Sequence, residues 1–253
     1  MQFSAIQGRL EDARLLTGQG CYVSDFHVPD QAYAFFLRAD RAHAQIVSID
    51  TSAACDLPGV LCVLTSTEIA QAGLKSLPVA LPAKGIGESE LLKPVRPVLA
   101  QGKVRFVGEP VVLVVADTMA IAQDAAELVS IAYNDLSAVI DATAALSTNA
   151  PQLFDGVPNN QVFDYASGDA QATTAAFANA AHTVKLSVDN TRVVGNPMEP
   201  RACLAQYDAG RGDYTLHACT QGVATMRGQI AAVMDVPVEK IRIAAQDVGG
   251  GFG

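Results

Sequence analysis

From residue 32 onward the apolar positions fall in short runs divided by turn residues. Residues 32–39 (AYAFFLRA), 44–50 (AQIVSID) and 59–65 (GVLCVLT) are rich in branched and aromatic side chains and read as strands. Asp50, Thr51 and Ser52 form a helix-start signal before a short helix ended by Pro58 and Gly59, and Ser66 or Thr67 opens another through Ala72. Residues 74–100 carry many Pro and Gly and no usable period. They read as a long loop, whether lid, partner-contacting arm or plain connection. Residues 103–107 fit a short strand, 108–110 a turn, and 111–116 an unbroken apolar run of the kind found in a strand buried on both faces. Asp117 and Thr118 supply a cap for a helix over 119–129, with Ile121, Ala125 and Leu128 on one face. Residues 130–135 are the candidate return strand, and strand, helix and strand in that order suggest a compact α/β unit closing near Asp141.

Small polar residues and prolines between 141 and 161 mark a linker. Beyond it, 168–181 is an Ala-rich helix capped by Asp169. In 182–193, Val184, Leu186 and Val188 alternate with Thr183, Lys185, Ser187 and Asp189, a period of two that predicts a half-exposed strand. Residues 202–219 read as a hairpin turning at 208–213, 222–235 as a helix with Val223, Met226, Ile230 and Val233 on one side, and 239–248 as a final strand running into Gly249, Gly250 and Gly251. A length of 253 residues fits one large domain or two ordinary ones, and the linker favours two.

Composition narrows the class. Half of the residues are hydrophobic and 17% charged, which is globular rather than disordered. A net charge of -9 with no basic cluster argues against a phosphate backbone as partner. The five cysteines are scattered without a C-x-x-C pair and the four histidines are dispersed, so spacing suggests neither a disulfide framework nor a protein-ligated metal. The first residues lack an apolar leader core and no stretch approaches a membrane span, which gives a cytoplasmic expectation.

Three short blocks carry candidate chemistry. Residues 249–253 (GGGFG) are either a loop whose N–H groups wrap an oxyanion or a flexible tail, and Phe252 has no use in the latter. It is neither a dinucleotide fingerprint nor a Walker loop. In 192–208, Glu199 lies between Pro197 and Pro200 with Arg201 just beyond, and burial between strands would require the two to pair or to find other partners; a structural clamp is the commoner outcome. Gln221 lies at a strand end just before a helix, as a site residue or a cap.

Taken in order, GRLEDARLLTGQGCYVSD, ADRAHAQIVSIDTSAACDLPGVLCVLT, GKVRFVGEPVVLVVADTMAIAQDAAELVSIAYNDLSAVID, RVVGNPMEPRACLAQYD, HACTQG and DVGGGFG resemble the N-terminal part of the molybdenum-binding large subunit of the xanthine dehydrogenase/aldehyde oxidase family, especially its bacterial carbon monoxide dehydrogenase and aldehyde dehydrogenase type. The resemblance implies an α/β (α+β) chain: an irregular lead-in (1–25), an α/β hammerhead domain (26–145), a linker (146–160) and the N-terminal piece of a molybdopterin-binding domain (161–253). It implies that Gln221 lies beside the molybdenum and its oxo ligand, and that Gly250, Gly251, Phe252 and Gly253 contact the cofactor through their backbone. The metal would be held by the pterin dithiolene of a molybdenum–molybdopterin cofactor in its cytosine dinucleotide form, with FAD and 2Fe–2S clusters on an FAD-binding medium subunit and an iron–sulfur small subunit. The implied reaction inserts a water-derived oxygen into an aldehyde, an N-heterocycle or carbon monoxide. Family large subunits are much longer and carry their catalytic Glu near the far C-terminus, so no catalytic residue is assigned. The expectation is a large subunit truncated at G-G-G-F-G and inactive unless a second chain supplies the rest. The alternative is a catalytically inert product or a hammerhead interaction module.

Overall fold

The computed structural model describes residues 8–79, 84–191 and 193–252. They divide into two compact units, one of residues 32–193 and one that joins 8–31 to 194–252. The chain opens with α1 (Asp12–Leu16) and a single 3-10 turn, Val23–Asp25.

The unit of residues 32–193 holds two three-stranded sheets. In one, β5 (Pro110–Ala116) lies between β1 (Tyr33–Arg38) and β3 (Val60–Leu64), antiparallel to both. In the other, β2 (Ala44–Asp50) lies between β4 (Lys103–Val104) and β6 (Ser130–Asp135), again antiparallel to both. The apolar run of 111–116 is central as expected, with Val111, Val112, Val114 and Ala116 fully buried. The return strand behaves differently. Both neighbours of β5 come from elsewhere in the chain, β1 and β3, and β6 pairs with β2 in the other sheet.

Two short helices connect these strands. The first, α2 (Ser52–Cys55), follows β2, and the second, α3 (Ser66–Gln71), follows β3. The cap of α3 is Thr65, one residue earlier than the spacing suggests: its hydroxyl accepts from the Thr67 N–H, and Glu68 completes a capping box. Over the first sheet lies α4 (Met119–Glu127), capped by Thr118. Its buried face is Ala122, Ala125 and Ala126 with Ile121 alongside, whereas Leu128 is outside the last turn and exposed. Ile121 and Ala125 thus lie on the buried face as read, and the small side chains of Ala122 and Ala126 complete it and let the helix approach the strands closely.

Residues 74–79 and 84–100 are pinned rather than free. The N–H of Leu77 donates to the carbonyl of Arg96, that of Ile86 to Asp164 and that of Leu92 to Val162, while Leu91 and Leu99 are buried. Glu109, at the turn before β5, accepts from the Arg105 N–H at 2.6 Å. Burial pushes its pKa up, against the pull of that N–H and of the Arg105 guanidinium. Arg105 in turn covers the Phe154 ring at 4.7 Å and donates to the Leu153 carbonyl, so residues 153–154 lie on this unit.

After α5 (Ala170–Ala178), capped by Asp169, residues 183–189 form no strand. Their period of two is real, but a strand also needs a neighbour to take its N–H and C=O groups, and among the described residues none pairs with them. Val184 and Leu186 are therefore 93% and 81% exposed.

The other unit is a three-stranded sheet in the order β7 (Cys203–Asp208), β8 (Asp213–Ala218), β9 (Ile241–Ala244). The first two strands form the expected antiparallel hairpin. Between β8 and β9 runs α6 (Val223–Met234), and the two strands it joins are parallel. Arg227 on α6 donates to the carbonyls of Val238 and Ile241, tying the helix to the start of β9.

Candidate cofactor-binding site

A parallel pair joined by a helix brings the ends of both strands to one edge of the sheet, the edge where ligands bind in open α/β sheets. Here the register aligns His217 with Ala244. Gln221, three residues past β8, and the glycines that follow β9 are thereby brought to the same edge. A Cβ placed on Gly251 would lie 2.6 Å from the Gln221 Cγ and closer still to its carboxamide. Only a glycine leaves that carboxamide its place.

The segment 195–199 lies along the same loop. Gly250 has φ +136°, a backbone region closed to other residues, and an added Cβ would stand 2.8 Å from the Pro197 Cβ. The Glu199 N–H donates to the Gly249 carbonyl at 3.4 Å, and the Gly249 N–H donates to Glu199 Oε2 at 2.7 Å. The first glycine is thus used to fix the loop. Among the described residues, the N–H groups of Gly250, Gly251 and Phe252 have no hydrogen-bond partner. This is a short row of free donors beside a carboxamide, suited to an oxygen-rich ligand. Gly253 lies outside the described residues.

Glu199 is 5% exposed, and among the described residues its partners do not include Arg201. Its partners are the Val23 N–H at 3.2 Å, the Gly249 N–H and the Cys219 thiol. Burial alone would raise its pKa, but the Gly249 N–H, the thiol and the Val23 N–H outweigh it and hold the carboxylate below its usual range. The hydrogen bond to that carboxylate pushes the Cys219 thiol up, and burial adds to the effect. Asp247 is the second carboxylate at the loop. The Arg14 guanidinium grips it through two nitrogens at 2.5 and 2.6 Å, and the Cys21 N–H donates to it at 2.8 Å. Arg14 and then Cys21 lower its pKa to about 2.

Sequence reasoning brought Gln221 and the glycines forward and treated Glu199 as a clamp. It assigned no role to Arg14, Cys21, Val23 and Asp247, because the first three lie more than two hundred positions from the fourth and nothing in their spacing joins them. The pKa of Asp247 sets an acid dependence. Because the folded value lies below the ordinary 3.8, its contribution to stability is present above 3.8 and is lost as pH falls toward about 2. Protection of the Cys21 amide from hydrogen exchange is expected to fade over that window, and Asp247→Asn is expected to remove the step; an identical profile in the variant would refute the assignment.

Among the described residues no three His, Cys, Asp or Glu side chains gather as a metal site, and no helix is long and apolar enough to cross a membrane.

Comparison with known proteins places these features in a family. Residues 17–137 match the aldehyde oxidase and xanthine dehydrogenase a/b hammerhead domain, and residues 153–253 match the molybdopterin cofactor-binding domain. The chain is 35% identical to the carbon monoxide dehydrogenase large chain of Hydrogenophaga pseudoflava over 96% of its own length and 30% of that protein's. It is 38% identical to the nicotine 6-hydroxylase large subunit of Paenarthrobacter nicotinovorans over 97% of its length and 29% of that subunit's. The crystal structure of quinoline 2-oxidoreductase from Pseudomonas putida 86 superposes with a TM-score of 0.85 at 36% identity, covering 97% of this chain and 30% of that one. The chain therefore spans about 30% of the length of these relatives. With a hammerhead domain followed by the beginning of a molybdopterin cofactor-binding domain, it belongs to the xanthine dehydrogenase/aldehyde oxidase family, in the part that corresponds to the start of the molybdenum-binding large subunit.

Proposed function

We propose that this chain is part of a molybdenum hydroxylase-type oxidoreductase, in which Gln221 and the loop of Gly250, Gly251, Phe252 and Gly253 hold the molybdenum end of a molybdopterin cofactor. The observation that carries the reading is the meeting of two distant blocks. Gly251 leaves room for the Gln221 carboxamide, and the adjoining N–H groups of residues 250–252 have no other described partner. When bound, the cofactor supplies transfer of a water-derived oxygen to a substrate such as an aldehyde, an N-heterocycle or carbon monoxide. The residues of this chain bind and orient. The backbone donors 250–252 take cofactor oxygens, and the Gln221 amide both donates and accepts beside the metal.

The same reading assigns residues 1–25 to a lead-in, 26–145 to the hammerhead domain, 146–160 to a linker and 161–253 to the molybdopterin-binding domain. It gives the cofactor as the cytosine dinucleotide form. Partners are an FAD-binding medium subunit, an iron–sulfur (2Fe-2S) small subunit and polypeptide that carries the rest of the large subunit with its catalytic Glu. The assembly is placed in the cytoplasm.

Metal analysis of the protein purified with these subunits tests the proposal. Molybdenum near one atom per chain is expected, and an assembled complex without molybdenum would overturn it. Gln221→Ala is expected to lower turnover about threefold to tenfold, the worth of one hydrogen bond, with the fold retained. Unchanged turnover would remove Gln221 from the site.

A further inference from the structure

Four glycine-rich residues cannot hold a direction by themselves, because their backbone has more freedom to lose than any other. In this protein the hold comes from the opposite end of the chain. Both carboxylates at the start of the loop are bound to the lead-in segment: Asp247 to the Arg14 guanidinium and the Cys21 N–H, and Glu199 to the Val23 N–H. Glu199 also reaches the loop, through the Gly249 N–H at 2.7 Å. One buried carboxylate therefore joins residue 23 to residue 249, with the Cys219 thiol as a third donor. Phe26 continues the contact by packing its ring, tilted by 32°, against the His217 ring at 5.0 Å, just upstream of Gln221.

We infer that residues 14–23 are a latch on the glycine loop, with Glu199 as its positioning residue, and that loading of the cofactor depends on this latch being closed. The inference rests on the assignment of residues 250–252 to the cofactor. Its chemistry is acceptor counting. The carboxylate has two oxygens and serves two backbone N–H groups with them, Oε1 for Val23 and Oε2 for Gly249. A glutamine of the same size has one oxygen, so its NH2 must face one of those N–H groups, donor against donor. Glu199→Gln therefore opens one side of the latch without leaving a cavity, and Arg14→Gln opens the Asp247 side from the surface.

The test is hydrogen–deuterium exchange of the assembled protein, read together with molybdenum content. In both variants the Gly249 amide, the loop N–H that donates to Glu199, is expected to exchange at least tenfold faster than in the parent, with β1 and β5 unchanged and molybdenum reduced in parallel. If Arg14→Gln loosens residues 12–25 and leaves Gly249 as protected as before, the lead-in is packing and not a latch. If exchange at Gly249 accelerates while molybdenum stays at the parental level, loading does not depend on the latch. If the parent itself carries no molybdenum while both variants accelerate exchange at Gly249, the latch stands and the cofactor assignment fails.

Discussion

Gly250→Val is expected to reduce molybdenum content at least tenfold while both units keep their circular dichroism. The backbone at this position has φ +136°, where only glycine is at ease, and a branched side chain there costs roughly 1–3 kcal/mol of strain. Each ~1.4 kcal/mol is a factor of ten in the population of the loop conformation that presents the neighbouring N–H groups. The added Cβ also falls 2.8 Å from the Pro197 Cβ and 3.3 Å from its Cα, ring and backbone atoms that cannot swing away. Gly251 differs, because what an added Cβ meets there is the flexible end of Gln221, and its φ is not in the strained region. Retention of full molybdenum in Gly250→Val would show that the loop's shape is not what binds the cofactor.

Leu99→Ala is expected to cost the unit of residues 32–193 roughly 2–5 kcal/mol, as a buried Leu lost to a cavity does. Leu99 is 1% exposed at the end of the Pro- and Gly-rich stretch, and the next residue donates from its N–H to the Pro110 carbonyl at 2.7 Å, at the start of the central strand. Urea unfolding of the isolated chain measures the change. A loss below about 1 kcal/mol would mean that the site relaxes around the smaller side chain and that this stretch is closer to a surface arm than to part of the core.

Much of the fold is legible along the chain because it is local. The apolar run at 111–116 marks a strand covered on both sides, and Thr118 and Asp169 open helices by accepting from N–H groups three residues on. The path of β8, α6 and β9 is also readable, and once a helix joins two strands of one sheet their ends share an edge. For that reason the pairing of Gln221 with the glycines was within reach of sequence reasoning.

What stayed hidden is the choice of neighbour. Ser130–Asp135 is a strand by pattern, but its neighbour is β2, in the other sheet from β5. Residues 183–189 have the alternation of a strand and remain one-sided for want of a partner among the described residues. Glu199 was recognisable as a costly charge between prolines, and its solution, two backbone N–H groups and a thiol drawn from positions 23, 249 and 219, was not.

By itself the amino-acid sequence determined most of the helices and strands and the glycine-rich loop, since propensity, capping and hydrophobic period act over a few residues. Tertiary structure alone decided which strands pair and how the loop is held, because a hydrogen bond between residue 14 and residue 247 depends on distance in space and leaves no mark in the spacing of either segment.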